Sequence, residues 1–278
     1  MKERVTLTLE SDLLKRIDRR VEKKKFKNRS HAVEMLLYNA LGIRIPKRAI
    51  ILAGGGKEKE DILLKEIKGR AVIEHVVHTL KTEGIEKATI IISGPNGIKD
   101  LLGSGKKYGV EIEYLIEETP LGTGGALLAK KEEILTENEP VVVCNADELK
   151  TIDLAEMYSF HKDNDAVATI ALTTVRDPGR YGVAKMKGMR IIEFTEKPEN
   201  KTTHLINAGL YIISPSIFEF MPSDPEWKKE TKCMLESDVF PTIAKEGKLF
   251  GYPISGKWFD ISTKEGFKRA EKEWNEEF

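Results

Sequence analysis

The chain has 278 residues, 40% of them hydrophobic and 32% charged, enough apolar material for a buried core and too much for a disordered chain. Lysine plus arginine and aspartate plus glutamate each count 45, but the zero net charge conceals an asymmetry. Residues 1–48 hold 14 basic against 6 acidic side chains, a net of +8, and the other 230 hold 31 against 39, a net of −8. A small basic head on a larger acidic body points to an anionic partner for the head. No apolar run approaches the ~18–20 residues that span a bilayer, and the opening MKERVTLTLE does not have the pattern of a secretory leader. Cys144 and Cys233 are too few for a disulfide framework, and a cytoplasmic setting with no membrane contact is expected.

Arg4-Val5-Thr6-Leu7-Thr8-Leu9 alternates with a period of two, predicting a strand with Val5, Leu7 and Leu9 on one face and Arg4, Thr6 and Thr8 on the other. Ser11 is a good N-cap for a helix carrying Leu14, Ile17 and Val21. After the polar turn at 25–30, Val33, Leu36, Leu37, Ala40 and Leu41 predict a second helix that stops at Gly42. A strand and two helices in about 40 residues bury too little surface alone, so dimerisation is expected. Residues 2–42 resemble the ribbon-helix-helix DNA-binding domains of the Arc/MetJ type. The resemblance implies a homodimer or higher homo-oligomer whose paired strands enter the major groove of a palindromic double-stranded DNA operator. It assigns Arg4, Thr6 and Thr8 to base edges and Asn28, Arg29 and Ser30 to phosphates. Residues 43–48 form a linker that reaches at most about 20 Å, and the body occupies 49–278.

Residues 49–53 (AIILA) run into Gly54, Gly55 and Gly56, a buried strand entering a loop where backbone meets a ligand. Strand-like runs follow at 88–93, 112–116 and 141–144, with helical stretches near 72–82 and 123–135 between them. This alternation predicts an α/β fold with a doubly wound, mostly parallel sheet. Beyond 153–161 the pattern turns strand-rich, at 167–175, 183–186, 190–194 and 206–213, and a helix near 264–274 closes the body.

Several motifs lie along this frame in a fixed order. Glu117-Glu118-Thr119-Pro120-Leu121-Gly122-Thr123-Gly124-Gly125 leads to Asn145-Ala146-Asp147, then Tyr181-Gly182, Glu196-Lys197-Pro198, Asn207-Ala208-Gly209 and Trp258-Phe259-Asp260. Over residues 49–275 they resemble the sugar-1-phosphate nucleotidyltransferases, which make a nucleotide sugar and pyrophosphate from an NTP. The resemblance implies a Rossmann-like, doubly wound mixed sheet of the nucleotide-diphospho-sugar transferase kind. It places Gly54 and Gly55 against the nucleotide, Glu117 and Gly122 near its base, and Gly182, Glu196, Asn207 and Gly209 around the sugar. Lys197 would contact the sugar phosphate, and Asp147 and Asp260 would hold Mg²⁺.

The first loop departs from the family's pattern, Gly-Gly-x-Gly-Thr-Arg followed by Pro-Lys. Here Gly56-Lys57-Glu58-Lys59-Glu60-Asp61 has neither, and its acids outnumber its lysines. Losing a preorganised donor to the transition state costs about 10²–10³ in rate. On this ground the chain is expected to be a DNA-binding transcriptional regulator, its body binding a nucleotide sugar, nucleotide or sugar phosphate as effector with weak or lost catalysis. The alternative is an active Mg²⁺-dependent sugar-1-phosphate nucleotidyltransferase carrying a DNA-binding or dimerisation head.

Overall fold

The computed structural model describes residues 5–22, 28–40, 45–94, 97–199, 203–222 and 232–275. The chain separates into two compact units, residues 1–45 with 278, and residues 46–277. No described helix is long and apolar enough to cross a membrane.

The first unit contains α1 (Ser11–Glu22) and α2 (Arg29–Ala40), which pack on each other and bury Ile17, Ala32 and Met35. The strand expected over residues 4–9 is not formed: residues 5–10 carry no ladder hydrogen bonds, and Arg4 lies outside the described residues. The physical reason is pairing. A period-two segment becomes a strand only beside another strand, and its apolar Val5 and Leu7 are 71% and 56% exposed.

The second unit begins with β1 (Arg48–Leu52), α3 (Lys57–Leu63), a small hairpin of β2 (Glu66–Ile67) and β3 (Arg70–Ala71), and α4 (Val72–Thr82). Next come β4 (Lys87–Ile92), α5 (Gly97–Leu102), β5 (Glu111–Ile116), α6 (Gly122–Leu128), α7 (Lys131–Glu137), β6 (Val141–Asn145) and β7 (Glu148–Lys150). The strand-rich half holds α8 (Leu154–Asp163), β8 (Ala168–Thr174), β9 (Gly182–Lys187), β10 (Arg190–Glu196) and β11 (Leu205–Ile213). It ends with α9 (Phe240–Lys245), β12 (Leu249–Pro253), β13 (Trp258–Asp260) and α10 (Lys264–Glu273).

Nine strands form one mixed sheet in the order β5-β4-β1-β6-β11-β8-β12-β10-β9. β5, β4, β1 and β6 are parallel, and β11 runs antiparallel to both β6 and β8. After Arg48, β1 is apolar at every position because the sheet is covered on both faces. Ile51, Ile90 and Ile92 pack with Val72, Ile73, Val77 and Leu80 of α4, while Ile50, Ile91 and Val143 pack on the opposite face with Leu127, Ile134 and Phe240. Strand order reverses between β1 and β6, and at such a switch point the loops after the two strands open a crevice. Those loops carry Gly54–Gly56 and Asp147.

Two expectations change. Residues 57–63, read as a continuation of the first loop, are a helix: they contain strong helix formers, no glycine or proline, and a Lys57–Asp61 pair four residues apart. The helical stretch near 123–135 is two helices, α6 and α7, broken at 129–130.

Candidate active site

On the nucleotide side, Glu117 follows β5 and lies across Gly54 so closely that a Cβ there would stand 2.8 Å from Oε2. Burial pushes the Glu117 carboxyl above its usual range, against a hydrogen bond from the Leu121 backbone. Gly122 opens α6, and the N–H groups of Gly124 and Gly125 both donate to the Cys233 carbonyl, at 2.8 and 3.1 Å. The Cys233 N–H in turn donates to the Leu121 carbonyl at 3.0 Å, so the turn at 121–125 is held by the chain around residue 233.

α3 decides the charge at the crevice. The Lys59 stem lies against Gly55, and its Nζ is 3.3 Å from Asp147 Oδ1. Two of the helix's three acids, Glu60 and Asp61, are occupied elsewhere. Glu60 Oε1 accepts the Gly97 N–H at 2.7 Å, and Lys57 pairs with Glu60 and Asp61 at 3.3 and 3.1 Å. Net charge along residues 57–61 does not describe the crevice: a helix sends successive side chains in different directions, and the one that reaches Asp147 is a lysine.

Asp147 immediately precedes β7, and Asp260 is the last residue of β13. Glu148 pairs with Asp260 in register, and the Ile261 N–H donates to the Asp147 carbonyl at 2.9 Å. The Tyr181 hydroxyl donates to Asp260 Oδ2 at 2.9 Å, and the Ser262 N–H and hydroxyl donate to Oδ1 at 3.0 and 2.5 Å. Among the described residues there is no cluster of three or more metal-ligating side chains. Two hard carboxylates at adjacent strand ends, one already paired with a lysine ammonium, nevertheless suit Mg²⁺, which takes one or two carboxylates and fills its shell with phosphate oxygens and water.

On the sugar side, Gly182 pairs with Glu196 across β9 and β10, and a Cβ at 182 would stand 2.7 Å from Glu196 Oε2. Burial, and then the charge of Glu236, raise the Glu196 carboxyl above its usual range. Gly209 sits in β11 at φ 56, where the ladder shifts register; a Cβ would lie 2.0 Å from Glu148 Oε1, so only glycine fits. Asn207 Oδ1 accepts the Gly209 N–H at 2.9 Å. Lys197 also adopts the left-handed backbone, at φ 46, and its N–H donates to the Tyr181 carbonyl at 3.1 Å. Its side chain is exposed, and its Nζ is 3.9 Å from Glu196 Oε1.

A buried frame lies beneath these groups. Glu148 accepts from Asn145 Nδ2 at 2.9 Å and Trp258 Nε1 at 2.7 Å, and Lys150 donates to the Gly209 carbonyl at 3.0 Å while standing 3.6 Å from Glu148. One buried ion pair thus ties together β7, β11 and β13, the strands around Gly209 and Asp260. Neither Glu148 nor Lys150 was singled out from the sequence, nor were Glu236 and the hydroxyl of Tyr181. Three acids or amides within four positions, at 145–148, were the only local signal for part of this set.

The residues assigned to DNA are differently placed. Thr6 and Thr8 are exposed on a segment with no strand. Asn28 Oδ1 accepts the His31 N–H at 2.9 Å and so caps α2, the Arg29 guanidinium makes paired bonds of 2.6 and 2.8 Å to Asp18 of α1, and Ser30 is exposed. Arg29 is engaged within its own chain.

Residues 48–277 match the nucleotidyl transferase family profile. Over 232 residues the chain is 32% identical to mannose-1-phosphate guanyltransferase beta-B of Xenopus laevis, a match covering 79% of this chain and 62% of that protein. It is 32% identical over 233 residues to the mannose-1-phosphate guanylyltransferase of Mycobacterium tuberculosis, covering 80% and 63%. The fold matches that of HddC from Yersinia pseudotuberculosis complexed with GMP-PN, with a TM-score of 0.67 at 24% identity, over 82% of this chain and all of that one. The chain spans about three fifths of the length of these curated relatives. They overturn the expectation of a DNA-binding regulator with weak or lost catalysis, because the relatives of the body are named as guanylyltransferases, which are enzymes. With its glycine loop, paired acids and crevice set between β1 and β6, and with the match running over residues 48–277, the chain belongs to the nucleotidyl transferase family.

Proposed function

We propose that the chain is an active Mg²⁺-dependent sugar-1-phosphate nucleotidyltransferase of the cytoplasm, with GTP and mannose 1-phosphate as its first substrate pair. The observation that carries this reading is Lys59, whose ammonium reaches Asp147 from beside Gly55. In this reading Lys59 takes the part of the arginine that the loop does not have. The names of the relatives support the choice of guanine nucleotide and mannose 1-phosphate.

In this reading Gly54 and Gly55 receive the nucleotide, and Glu117 and Gly122 flank its base. Gly182, Glu196, Asn207 and Gly209 take the sugar, and Lys197 orients the attacking phosphate. That phosphate oxygen forms a bond to the α-phosphorus as the bond to the departing pyrophosphate breaks. Lys59 offers a compact charge to the departing oxygens, worth most in a site where water is scarce. Asp147 and Asp260 would hold Mg²⁺, which when bound neutralises phosphate charge at the reacting centre. Tyr181 and Ser262 fix the Asp260 carboxylate from outside the site, as partners of metal ligands do.

The head, in the same proposal, is a ribbon-helix-helix unit that dimerises the enzyme. Its support is the alternation of residues 5–9 and the exposure of Val5 and Leu7, an apolar face suited to a second copy. Leu7→Asp is expected to shift the chain to monomer in sedimentation velocity, while an unchanged dimer would remove this role. The enzymatic reading is tested by pyrophosphate release from a panel of NTPs and sugar 1-phosphates with Mg²⁺. Turnover that Asp147→Ala abolishes is expected; no turnover with any pair would refute it.

A further inference from the structure

Three buried or partly buried polar groups outside the proposed chemistry, Thr123, Glu236 and Tyr211, join Asn207 in one continuous path between the nucleotide-side turn and the sugar-side strand. Glu236, 7% exposed, lies on the π-helical turn Leu235–Val239. One of its carboxylate oxygens accepts from Thr123 Oγ1 at 2.6 Å, the other from the Tyr211 hydroxyl at 3.0 Å. The Tyr211 oxygen accepts from Asn207 Nδ2 at 2.8 Å, and Asn207 Oδ1 accepts the Gly209 N–H. Thr123 Oγ1 also accepts the Leu235 N–H at 2.8 Å, so α6 is anchored in the same path.

The direction of each bond is fixed from both ends, by Glu236 and by the Gly209 N–H, which can only donate. Both Glu236 oxygens accept, which a carboxylate does and an amide cannot. Tyr211 spends its one proton on that carboxylate and has only lone pairs left for Asn207. Asn207 must then turn its NH₂ toward Tyr211 and its oxygen toward the Gly209 N–H. The second hydrogen of that amide has no partner among the described residues, and Asn207 is 9% exposed. An amide held this way presents a donor of fixed direction, at no further ordering cost on binding.

We propose that Glu236 is a positioning residue for sugar recognition: through Tyr211 it anchors the NH₂ end of Asn207, whose oxygen is held by the Gly209 N–H, so that the pocket offers an N–H of fixed direction to a sugar hydroxyl. The inference rests on Asn207 facing the sugar in the proposed function. Titration calorimetry on the full chain with Mg²⁺ tests it, using GDP-mannose and UDP-glucose as sugar-bearing probes and GDP and UDP as sugar-free ones. Tyr211→Phe removes the link while keeping the Glu236–Thr123 bond, and Glu236→Gln scrambles the direction of both. Each is expected to weaken the better-bound nucleotide sugar about tenfold, with less than about twofold change for the matching nucleoside diphosphate. The double variant is expected to be no weaker than either single one, since the two act along one path. A merely structural role would weaken both probe types together. An unchanged ratio of nucleotide-sugar to diphosphate affinity in folded Tyr211→Phe overturns the inference and leaves the enzymatic reading intact. Failure of the unsubstituted chain to bind any nucleotide sugar removes both.

Discussion

Lys150→Met perturbs the frame beneath the site with little change in packing. Lys150 is 5% exposed, its stem is close to methionine in volume, and its Nζ serves both the Gly209 carbonyl and Glu148. The substitution leaves Glu148 with Asn145 and Trp258 as donors but without its cation. Breaking a buried pair from one side costs about 3–5 kcal/mol, because the remaining charge is uncompensated. Burial already holds the Glu148 carboxyl above its ordinary value of 4.5, and Lys150 is the main opposing influence, so removing the lysine drives it higher. An acid raised in the folded state binds more protons folded than unfolded, so its contribution to stability falls as pH rises from 4.5 through the raised value. The cost of Lys150→Met is therefore expected to be fully developed near pH 8 and smaller by about 1 kcal/mol or more near pH 5. Urea denaturation of both proteins at the two pH values measures it. A cost equal at both, or larger in acid, would refute the assignment of Glu148 as a buried charge held by Lys150.

Three further substitutions probe the site. Lys59→Met is expected to raise the KM for the NTP about tenfold and lower kcat about 10²-fold in steady-state pyrophosphate release, with Lys59→Arg retaining most activity. Gly209→Ala, with φ 56 and a Cβ 2.0 Å from Glu148, is expected to cost about 3 kcal/mol or more and to lower the thermal midpoint by several degrees in a circular-dichroism melt. Tyr181→Phe removes the donor to Asp260 and is expected to raise the Mg²⁺ concentration for half-maximal rate about tenfold, with the fold's thermal midpoint little changed.

The β/α alternation of residues 49–145 was legible because buried parallel strands read as continuous apolar runs, and the motif order placed Asp147 and Asp260 at strand ends that the ladder then joined. The place of Lys59 was not legible: net charge along a segment says nothing about direction, and helical geometry pairs Lys57 with Glu60 and Asp61 while Lys59 reaches Asp147. Glu148, Lys150 and Glu236 were not legible, since a buried charge looks in sequence like any surface one until its partners, up to 113 positions away for Glu236 and Thr123, are known. The ribbon was read from a period of two that needs a second strand before it forms a ladder.

Phosphorus NMR of GTP incubated with mannose 1-phosphate, Mg²⁺ and the full chain observes the bond in question. The expected result is growth of the two coupled diphosphate resonances of the nucleotide sugar together with an equal amount of pyrophosphate, and their loss with Asp147→Ala. GTP that persists unchanged, or that yields only inorganic phosphate, while the chain is folded and the same test with every other NTP and sugar 1-phosphate is equally silent, would contradict an active transferase with Lys59 at its polyphosphate end.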